Sequence, residues 1–586
     1  MLTSSFIFAV LCFAFILLFF SGLPNLRTCK LPSVNTTDEP DSIRDRLAVV
    51  LITVLYAGSA FWNLGNVQSP QTFTPMQGRS VVLSLSQGST PKQLILFPGV
   101  GQGNYSIEYS SDAEGWYPLT DFTQDHVSVL KWQYIPLDLS QSVNFLRIDC
   151  ISGSPWLGEL MLRDSTGNEI TVSSTAEELT DESYCVPEAS NYMNSTYFDE
   201  IYHVRTAWEH LHGVWPYEIS HPPLGKEIIS IGILLFGMTP FGWRFSGNVA
   251  GIMILPAMYH FLLRLFGKGR IPILGVILTA SGFLHYTQTR IATVDSFSAF
   301  FILIMYDYMY RWLEGHRIKD LAICAIAFGF GAACKWTCLY AGAGLAVLWI
   351  VHWAKEFCEQ RRKAVRLFLK NTAACILLFV IIPGVIYYLS YLPYGISENA
   401  NLFSRDYARL VLDNQLFMFR YHANIVAEHP YSSRWYQWIL DLRPILYYLE
   451  YLPGGKRISI AAFVNPLICW GGLMSILLLI ITSVFRRDRK AAFLLVAYLS
   501  GLVPWFFISR LTFMYHYFAS AMFLVPAICY VYSLIENNTV NGKWYSTGYT
   551  VVTFMLFCCF FPVLNGMVVN NDLASRLLGW LPSWPI

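Results

Sequence analysis

Two short stretches hold most of the residue types that could do chemistry in this chain. Residues 197–203 are Tyr-Phe-Asp-Glu-Ile-Tyr-His, and residues 221–226 are His-Pro-Pro-Leu-Gly-Lys. They place the adjacent carboxylates of Asp199 and Glu200 close in sequence to several histidines and to Lys226. A carboxylate can accept a proton from an incoming hydroxyl, and a cation can neutralise a leaving phosphate. Ionisable groups gathered next to apolar segments indicate a functional site at a membrane boundary.

The composition indicates a membrane protein with many spans. Hydrophobic residues make up 54% of the 586 positions and charged residues 13%, which is too apolar for a soluble protein. The net charge of +1 argues against a nucleic-acid partner. The 13 cysteines include no Cys-x-x-Cys pair. Of these, Cys150 and Cys185 lie in a polar block and could form a disulfide bond in an oxidising compartment, a question that spacing leaves open.

The apolar runs predict about twelve transmembrane helices, each of about 17–25 residues, a length that suits a bilayer core. They lie at residues 5–22, 47–64, 243–264, 271–288, 296–313, 320–335, 338–354, 371–391, 460–484, 490–508, 512–534 and 547–566. The first run is interpreted as a retained helix, with a signal anchor as the alternative. The shorter run at residues 224–238 is predicted to be an interfacial helix on the outer surface.

Clusters of basic residues give the predicted orientation, because Lys and Arg are enriched in cytoplasmic loops. The clusters are Arg264, Lys268 and Arg270; Arg311, Arg317 and Lys319; Lys355, Arg361, Arg362, Lys363, Arg366 and Lys370; Arg486, Arg487, Arg489 and Lys490; and Lys543. If the spans alternate, all of them fall on one side, together with the loop at residues 24–46. The polar block, residues 197–242 and the loop at residues 392–458 then lie outside. We therefore expect a multi-pass protein of the cell membrane with its active site on the extracytoplasmic side.

The polar block at residues 67–190 predicts a β-sandwich. Short alternating segments at residues 81–85, 105–109 and 144–148 are separated by turns rich in Gly, Pro, Asp and Ser. In texture the block resembles the discoidin-like, galactose-binding-like jelly rolls. Its tryptophans Trp116, Trp132 and Trp156 could stack on sugars, although packing in the core or at its rim is the favoured interpretation.

More ionisable residues lie on the predicted outer side, and each has a plainer interpretation. Arg244, Arg290 and Arg510 could be interface anchors for lipid phosphates, and Asp199 with Glu200 could complement a helix dipole. The histidines lack metal-site spacing such as His-Glu-x-x-His, so no metal site is predicted there. Taken together, carboxylates and cations at an outer membrane surface suit a reaction on an anionic lipid headgroup.

Five motifs occur in a fixed order and carry a family resemblance. They are Phe-Asp-Glu-Ile-Tyr-His at 198–203, His-Pro-Pro-Leu-Gly-Lys at 221–226, Arg290 with Asp295-Ser296, a Tyr-Ser-Ser-Arg run at 431–434 followed by Leu-Arg-Pro at 442–444, and Arg-Leu-Thr-Phe-Met-Tyr-His-Tyr at 510–517. The set resembles the dolichyl-phosphate-mannose–protein O-mannosyltransferase family, of the GT-C class, over about residues 195–535. The resemblance implies a polytopic α-helical fold of that class, with the extracytoplasmic β-sandwich as an insertion.

The resemblance also implies a reaction and roles for single residues. An inverting enzyme of this kind moves a hexose, with mannose expected, from a polyprenyl-phosphate donor to Ser or Thr hydroxyls of exported or membrane proteins. The implied catalytic residues are Asp199 as general base, Glu200 and Asp295. The implied donor phosphate ligands are His221, Lys226, Arg244, Arg290 and Arg510, and acceptor or other roles go to His203, Glu218, Arg434, Tyr515 and His516.

Some features depart from the family pattern. The loop at residues 392–458 is too short for the β-trefoil domain of eukaryotic members, which points to a bacterial member. Ile219 stands where the family often has Asp, with Glu218 one step further back. The resemblance leaves open whether Glu218 substitutes for that residue.

The predicted organisation combines these segments. Its parts are two N-terminal transmembrane helices at 1–66, the β-sandwich at 67–190, a catalytic outer loop with interfacial helices at 191–242, transmembrane helices at 243–391, an outer loop at 392–458, and C-terminal transmembrane helices and tail at 459–586. The expected partners are the lipid-linked hexose, an acceptor protein and the bilayer, without nucleic acid. No cofactor is predicted as certain, and a divalent metal and a homo-oligomer stay open.

Two alternative functions are also compatible with a polytopic membrane protein. One is a GT-C transferase that glycosylates a lipid or a cell-wall polymer. The other is a membrane transporter or sugar receptor, which should show paired discontinuous helices and intramembrane charges, whereas the charges here gather at one surface.

Overall fold

The computed structural model describes residues 6–32, 42–86, 88–359, 361–426 and 428–584, with the side chains of 361–364 excepted. Residues 33–41 of the predicted 24–46 loop, and the side chains of Arg361, Arg362 and Lys363 in one basic cluster, lie outside the described part. The chain divides into two compact units. The membrane unit contains residues 1–62, 213–227 and 247–586, and the β unit contains residues 63–212 and 228–246.

Helices occur at every predicted apolar run. In chain order the α-helices are α1 (Phe6–Ser21), α2 (Ile43–Phe61), α3 (Glu200–Leu211), α4 (Leu224–Phe236), α5 (Pro240–Phe266), α6 (Arg270–Ala280), α7 (Phe283–Thr289), α8 (Asp295–Gly315), α9 (Ile318–Cys334), α10 (Thr337–Glu359), α11 (Arg361–Ile376), α12 (Ile382–Leu389), α13 (Leu392–Ser397), α14 (Arg405–Asn424), α15 (Trp435–Ile439), α16 (Gly472–Phe485), α17 (Arg489–Leu502), α18 (Phe518–Ala521), α19 (Leu524–Asn538), α20 (Gly542–Asn565) and α21 (Asn571–Leu577). The interfacial run predicted at 224–238 corresponds to α4.

Seven helical segments of the described chain are long and apolar enough to cross a bilayer. They are Pro240–Phe266, Thr337–Glu359, Val365–Ser397, Leu467–Phe485, Arg489–Phe507, Met514–Asn538 and Gly542–Asn565, and α1 and α6 are shorter apolar helices. The chain is therefore a multi-pass membrane protein. Helix α8, at another predicted span, carries Asp295, Asp307, Arg311 and Glu314.

Three predicted spans need correction. The run at 271–288 is two helices, α6 and α7, because the chain turns at Ser281 and Gly282, where the Gly282 N–H donates to the Thr279 carbonyl at 3.1 Å. The run at 460–484 begins its helical part at Leu467, since residues before it form a strand. The run at 371–391 belongs to a longer apolar segment, Val365–Ser397.

The predicted outer loop at 392–458 is largely regular structure. Helix α14 begins where the Ser404 hydroxyl accepts the N–H of Tyr407 at 3.1 Å, an ordinary N-cap. A hairpin follows, and its second strand pairs with a short strand near the C-terminus. The strands are β11 (Ile445–Leu452), β12 (Lys456–Ala462) and β13 (Val568–Asn570). Gly454 and Gly455 turn the hairpin with positive φ, a conformation that glycine adopts without a steric penalty.

The β unit contains two five-stranded antiparallel sheets. Its strands are β1 (Thr74–Pro75), β2 (Ser80–Leu85), β3 (Gln93–Pro98), β4 (Gly103–Ser110), β5 (Tyr117–Gln124), β6 (Gln133–Pro136), β7 (Phe145–Gly153), β8 (Trp156–Arg163), β9 (Glu169–Ile170) and β10 (Val172–Ser174). One sheet has the order β1-β8-β3-β6 with β9 on β8, and the other has the order β10-β2-β7-β4-β5. The strands predicted at 81–85, 105–109 and 144–148 lie in β2, β4 and β7.

One hydrophobic core contains side chains from both sheets. Leu83 and Ile107 come from one sheet and Leu94 and Leu160 from the other, and all four are 0–1% exposed. Burying each such side chain is worth roughly 1.5–3 kcal/mol, so the alternation of apolar residues decides which strand face turns inward.

The structure shows how the tryptophans of the β unit pack and whether Cys150 and Cys185 form a disulfide bond. Trp132 is 2% exposed and packs on Phe97 with ring centroids 4.8 Å apart, so packing in the fold is the correct interpretation for this residue. Trp116 lies under the Arg147 guanidinium at 4.4 Å. Cys150 and Cys185 are both free thiols, so the disulfide bond considered from the sequence is not formed.

Candidate active site

Asp199 lies at the start of α3, after a residue with an uncommon backbone conformation. Phe198 has φ of +51°, which is costly for a bulky side chain and must be held by its surroundings. The Asp199 carbonyl accepts the N–H of Tyr202 at 3.1 Å, but the Asp199 side chain makes no capping bond to the helix. Asp199 is also partly exposed. Its carboxylate therefore makes no capping hydrogen bond, although it stands at the N-cap position, where a negative charge complements the helix dipole.

Glu200 and Arg244 form a buried ion pair within the β unit. Both residues are 0% exposed, and the Arg244 Nε and Nη2 atoms lie 2.7 Å from the two Glu200 carboxylate oxygens. The remaining guanidinium hydrogens go to the carbonyls of Leu64 (2.9 Å), Tyr192 (2.6 Å) and Ser195 (3.0 Å). A guanidinium has five N–H donors, and all five are used. The predictions that Arg244 binds the donor phosphate and that Glu200 acts in catalysis are therefore not supported: the pair holds the segment before Asp199.

The His-Pro-Pro turn is organised by Glu218 within the membrane unit. Lys226 is fully buried. Its Nζ forms an ion pair with Glu218 Oε2 at 2.6 Å and donates hydrogen bonds to the carbonyls of His221 and Pro222 at 2.8 and 3.3 Å. The two carbonyls accept two ammonium hydrogens and fix the cation against the turn. His221 Nδ1 lies 3.0 Å from Glu218 Oε1, and the Ser220 hydroxyl also donates to that oxygen. Lys226 thus closes the turn, and its contact with a phosphate stays a prediction.

Asp295 pairs with a lysine that sequence analysis did not single out. Asp295 begins α8, and Lys335 directly follows α9 as its C-terminal cap. The Lys335 Nζ donates to Asp295 Oδ1 at 2.7 Å, and the two residues are 6% and 8% exposed. This hydrogen bond uses one carboxylate oxygen of Asp295 and orients the Lys335 ammonium, and the catalytic role of Asp295 stays a prediction.

Lys335 and Arg510 line the same cavity of about 240 Å³ in the membrane unit. The other lining residues are Ser220, His221, Pro222, Trp336, Thr337, Tyr340, Phe419, His422, Ala423, Trp505, Ile508 and His516. Within the described chain, Arg510 donates one side-chain hydrogen bond, from Nη1 to the Leu511 carbonyl at 3.2 Å. The cavity thus combines two cations with aromatic side chains, a lining suited to a phosphate attached to an apolar or sugar group.

Two histidines of this cavity are neutral at physiological pH. Burial lowers the pKa of His221, Lys335 and Lys226 lower it further, and Glu218 opposes the shift. Burial lowers the pKa of His422 to about 4, with His221 and Arg510 adding to the effect. The Nε2 atom of His422 lies 2.8 Å from the Ser220 carbonyl, so Nε2 carries the proton and Nδ1 is an acceptor. These rings can accept hydrogen bonds from hydroxyls, but they add no positive charge for a phosphate.

Arg290 has a structural role in the membrane unit. It is 5% exposed, and its Nη1 lies 2.8 Å from the carbonyls of Ala60 and Trp62 and 2.9 Å from the Tyr286 hydroxyl. These contacts tie the C-terminal end of α2 to α7. These contacts involve one guanidinium nitrogen, and the phosphate contact of Arg290 stays a prediction.

The remaining predicted residues are dispersed. His203 lies on α3 of the β unit and is 6% exposed, while Arg434 is exposed at the start of α15. His516 lines the cavity of the membrane unit, and the Tyr515 ring stacks on it. The Lys335 ammonium lies 5.4 Å from the centre of the Tyr515 ring. The structure thus brings together His221, Arg510 and His516 in one cavity lining, which does not include Arg434.

Lys335, His422 and the cavity tryptophans were missed in the sequence. The sequence does offer a reason to consider Lys335. A lysine between two apolar runs is as unusual as the carboxylate of Asp295, which also lies between two predicted spans. The sequence offers no such reason for His422: it lies in a polar helix, and its proximity to Ser220, 202 residues earlier, exists only in the fold.

The helical bundle has the GT-C fold of membrane glycosyltransferases. The fold matches the S. cerevisiae protein O-mannosyltransferase Pmt1–Pmt2 complex bound to the sugar donor, with a TM-score of 0.58 at 13% identity over 67% of this chain and 89% of that chain. Two family models also match: "Dolichyl-phosphate-mannose-protein mannosyltransferase" at residues 220–387 and "C-terminal four TMM region of protein-O-mannosyltransferase" at residues 403–584. The chain belongs to the protein O-mannosyltransferase family.

Bacterial relatives agree with this assignment. A polyprenol-phosphate-mannose–protein mannosyltransferase of Mycolicibacterium smegmatis is 26% identical over 454 residues, covering 66% of this chain and 87% of the relative. The Corynebacterium glutamicum protein of the same name is 26% identical over 461 residues, covering 66% and 88%. The Mycobacterium tuberculosis protein is 25% identical over 453 residues, covering 66% and 86%.

Proposed function

We propose that this protein transfers mannose, with inversion, from a polyprenyl-phosphate donor to Ser or Thr hydroxyls of exported or membrane proteins. The observation that carries the proposal is the cavity of the membrane unit, in which Lys335 and Arg510 face aromatic side chains. The names of the bacterial relatives support the donor and the class of acceptor.

The donor phosphate is proposed to bind Lys335 and Arg510. When the bond between the sugar C1 and the phosphate oxygen breaks, the phosphate keeps the electron pair, and nearby cations stabilise the developing charge. Asp295 orients the Lys335 ammonium through the 2.7 Å hydrogen bond. Trp336, Trp505 and the neutral His422 offer a stacking surface and an acceptor for sugar hydroxyls.

Asp199 is proposed to be the general base. A Ser or Thr hydroxyl is a weak nucleophile, so its oxygen attacks C1 efficiently only if a base takes the proton. The partly exposed carboxylate of Asp199, which does not cap its helix, supports this role. Glu200 and Arg244 would act on the reaction only by holding the backbone that presents Asp199.

We place the reaction at the extracytoplasmic face of the plasma membrane, in a protein with about twelve spans. The basic clusters support that orientation. The two sheets with one core support a β-sandwich domain, which we assign to the galactose-binding-like kind from its sequence texture. No resident cofactor is included, because Lys335 and Arg510 supply the positive charge that the phosphate needs. A lipid or cell-wall acceptor, a transporter and a receptor are not favoured.

The experiment is transfer of radiolabelled mannose from polyprenyl-phosphate mannose to a Ser/Thr-rich peptide by the purified protein. Lys335→Met removes a charge-assisted hydrogen bond worth about 1.5–3 kcal/mol, so kcat/KM should fall roughly 10- to 150-fold. Lys456→Met is the matched control: Lys456 is exposed on β12, away from the cavity lining, and should leave transfer unchanged.

Lys335→Met also leaves the Asp295 carboxylate without its partner, so a double variant separates stability from binding. Asp295→Asn with Lys335→Met should regain thermal stability without regaining donor affinity. A wild-type protein that transfers no mannose to the peptide would refute the proposed function. Full activity of Lys335→Met would refute the phosphate site while leaving the function intact.

A further inference from the structure

A second cluster of charged side chains lies in the β unit and takes no part in the proposed reaction. Glu159 is on β8, on the face opposite the hydrophobic core, and faces the segment at residues 177–185 that crosses this strand. Asp181 and Glu182 belong to that segment. One carboxylate oxygen from each of the three residues lies within 4.8 Å of the others.

Glu159 gives the second observation, because it is buried with an unused ligand atom. The residue is 0% exposed, and its Oε1 accepts no hydrogen bond. Its Oε2 accepts the backbone N–H of Glu182 at 3.0 Å, which fixes the direction of the carboxylate toward the segment. Burial raises the pKa of Glu159 to about 8, and the neighbouring Asp181 and Glu182 add to the shift. A buried carboxylate aimed at two others needs either a proton or a cation between them.

The other two carboxylates are arranged as a preformed pair of ligands. The Glu182 carboxylate accepts the N–H of Gln71 at 2.9 Å and that of Thr72 at 3.3 Å, so its position is set by backbone. Asp181 is exposed and leaves the cluster open to solvent on one side. An ion could therefore enter with bound water and meet one buried, one half-buried and one exposed carboxylate.

We propose that Glu159, Asp181 and Glu182 bind one divalent cation of the Ca²⁺ class. The donor atoms are all carboxylate oxygens, the ligands that hard cations prefer, and the set contains no nitrogen or sulfur ligand of the kind that Zn²⁺ selects. The bound ion joins residues 177–185 to β8, and this segment leads into the stretch that ends at Asp199. It is a structural site and stands independently of the proposed transferase activity.

The test is Ca²⁺ binding by the full-length protein in detergent, first stripped with EDTA and exchanged into metal-free buffer at pH 7.5. Isothermal titration with CaCl2 should give one site per chain with Kd of about 0.1–1 mM, the range of extracellular modules. Unfolding followed by tryptophan fluorescence should show a Tm that rises with CaCl2 concentration. Glu159→Gln should weaken binding at least about tenfold, because a ligand charge is lost. Glu177→Gln, an exposed neighbour outside the cluster, should bind as the wild type does.

Asp181→Asn is the second variant, chosen because an exposed side chain can be changed without disturbing the fold. It too should weaken Ca²⁺ binding and abolish most of the rise in Tm. If Ca²⁺ binding and Tm are the same in the wild type and both variants, the proposal is wrong. It is equally wrong if the wild type ignores Ca²⁺ and is stabilised only on lowering the pH from 8.5 to 6, since the three carboxylates would then share a proton.

Discussion

The assignment of Arg244 is the sharpest point on which sequence and structure disagree, and one variant decides it. The resemblance to mannosyltransferases predicts a phosphate ligand, whereas the structure buries the guanidinium and uses all five of its hydrogens within the β unit. Arg244→Met removes the charge and keeps an apolar side chain of comparable length. The two assignments then predict different measurements: lost donor affinity in one case, and lost stability in the other.

The magnitude follows from the burial of the pair. Removing one partner leaves the Glu200 carboxylate in a fully buried position without a cation, which costs about 3–5 kcal/mol. For a cooperative unit of about 150–250 residues this corresponds to a Tm lowered by roughly 6–20 °C. Replacing both residues, with Glu200→Leu and Arg244→Met, removes the uncompensated charge and should recover part of the loss. Arg79→Met is the matched control, because Arg79 is half-exposed in a 3.9 Å ion pair worth about 0–1 kcal/mol.

The assay combines thermal unfolding in detergent with donor kinetics below the lowered Tm. We expect the fraction of Arg244→Met that remains folded to show a donor KM within about twofold of the wild type, because no phosphate contact is lost. A variant with an unchanged Tm and a donor KM raised tenfold or more would refute the structural role. In that case the ion pair with Glu200 would have to open when the donor binds.

Two other variants test the general base Asp199 and the effect of His422 on stability at acidic pH. Asp199→Asn should lower kcat by about 10²–10⁴-fold with no change in Tm, since the Asp199 side chain makes no capping hydrogen bond to α3, and near-normal transfer would exclude Asp199 as the base. His422 has a folded pKa of about 4, below the unfolded value near 6.5, so its contribution to stability is complete above pH 6.5 and is lost as the pH falls toward 4. His422→Gln should therefore flatten the fall of Tm between pH 6.5 and 4.5, and a parallel curve would contradict the assignment.

The features that sequence predicted well are those that depend on local chemistry. The apolar run at 243–264 corresponds to α5 because a helix is the structure that satisfies its backbone in lipid. The alternation at 81–85 corresponds to β2 because one face of a strand must meet a core. The sequence predicts one span at 271–288 where the structure has α6 and α7. Ser281 and Gly282 carry no charge, so they do not interrupt the apolar run in the sequence.

The partners of single side chains could not be predicted, because they depend on contacts far apart in sequence. Glu200 and Arg244 are 44 residues apart, and Asp295 and Lys335 are 40 apart. A charged residue beside a membrane segment is unusual in either case, so its presence alone does not tell a structural ion pair from a ligand site.

Counting hydrogen-bond donors separates these two kinds of charge. Arg244 donates all five of its guanidinium hydrogens to protein acceptors. Lys226 is ion-paired with Glu218 and donates to two carbonyls, and both residues are fully buried. Within the described chain, Lys335 donates one side-chain hydrogen bond and Arg510 donates one, and both line the cavity. A phosphate brings acceptor oxygens and needs donors that are not already committed. Arg510 and Lys335 are thus the two cations that can donate hydrogen bonds to a phosphate in this cavity. The motif resemblance includes Arg510 but not Lys335.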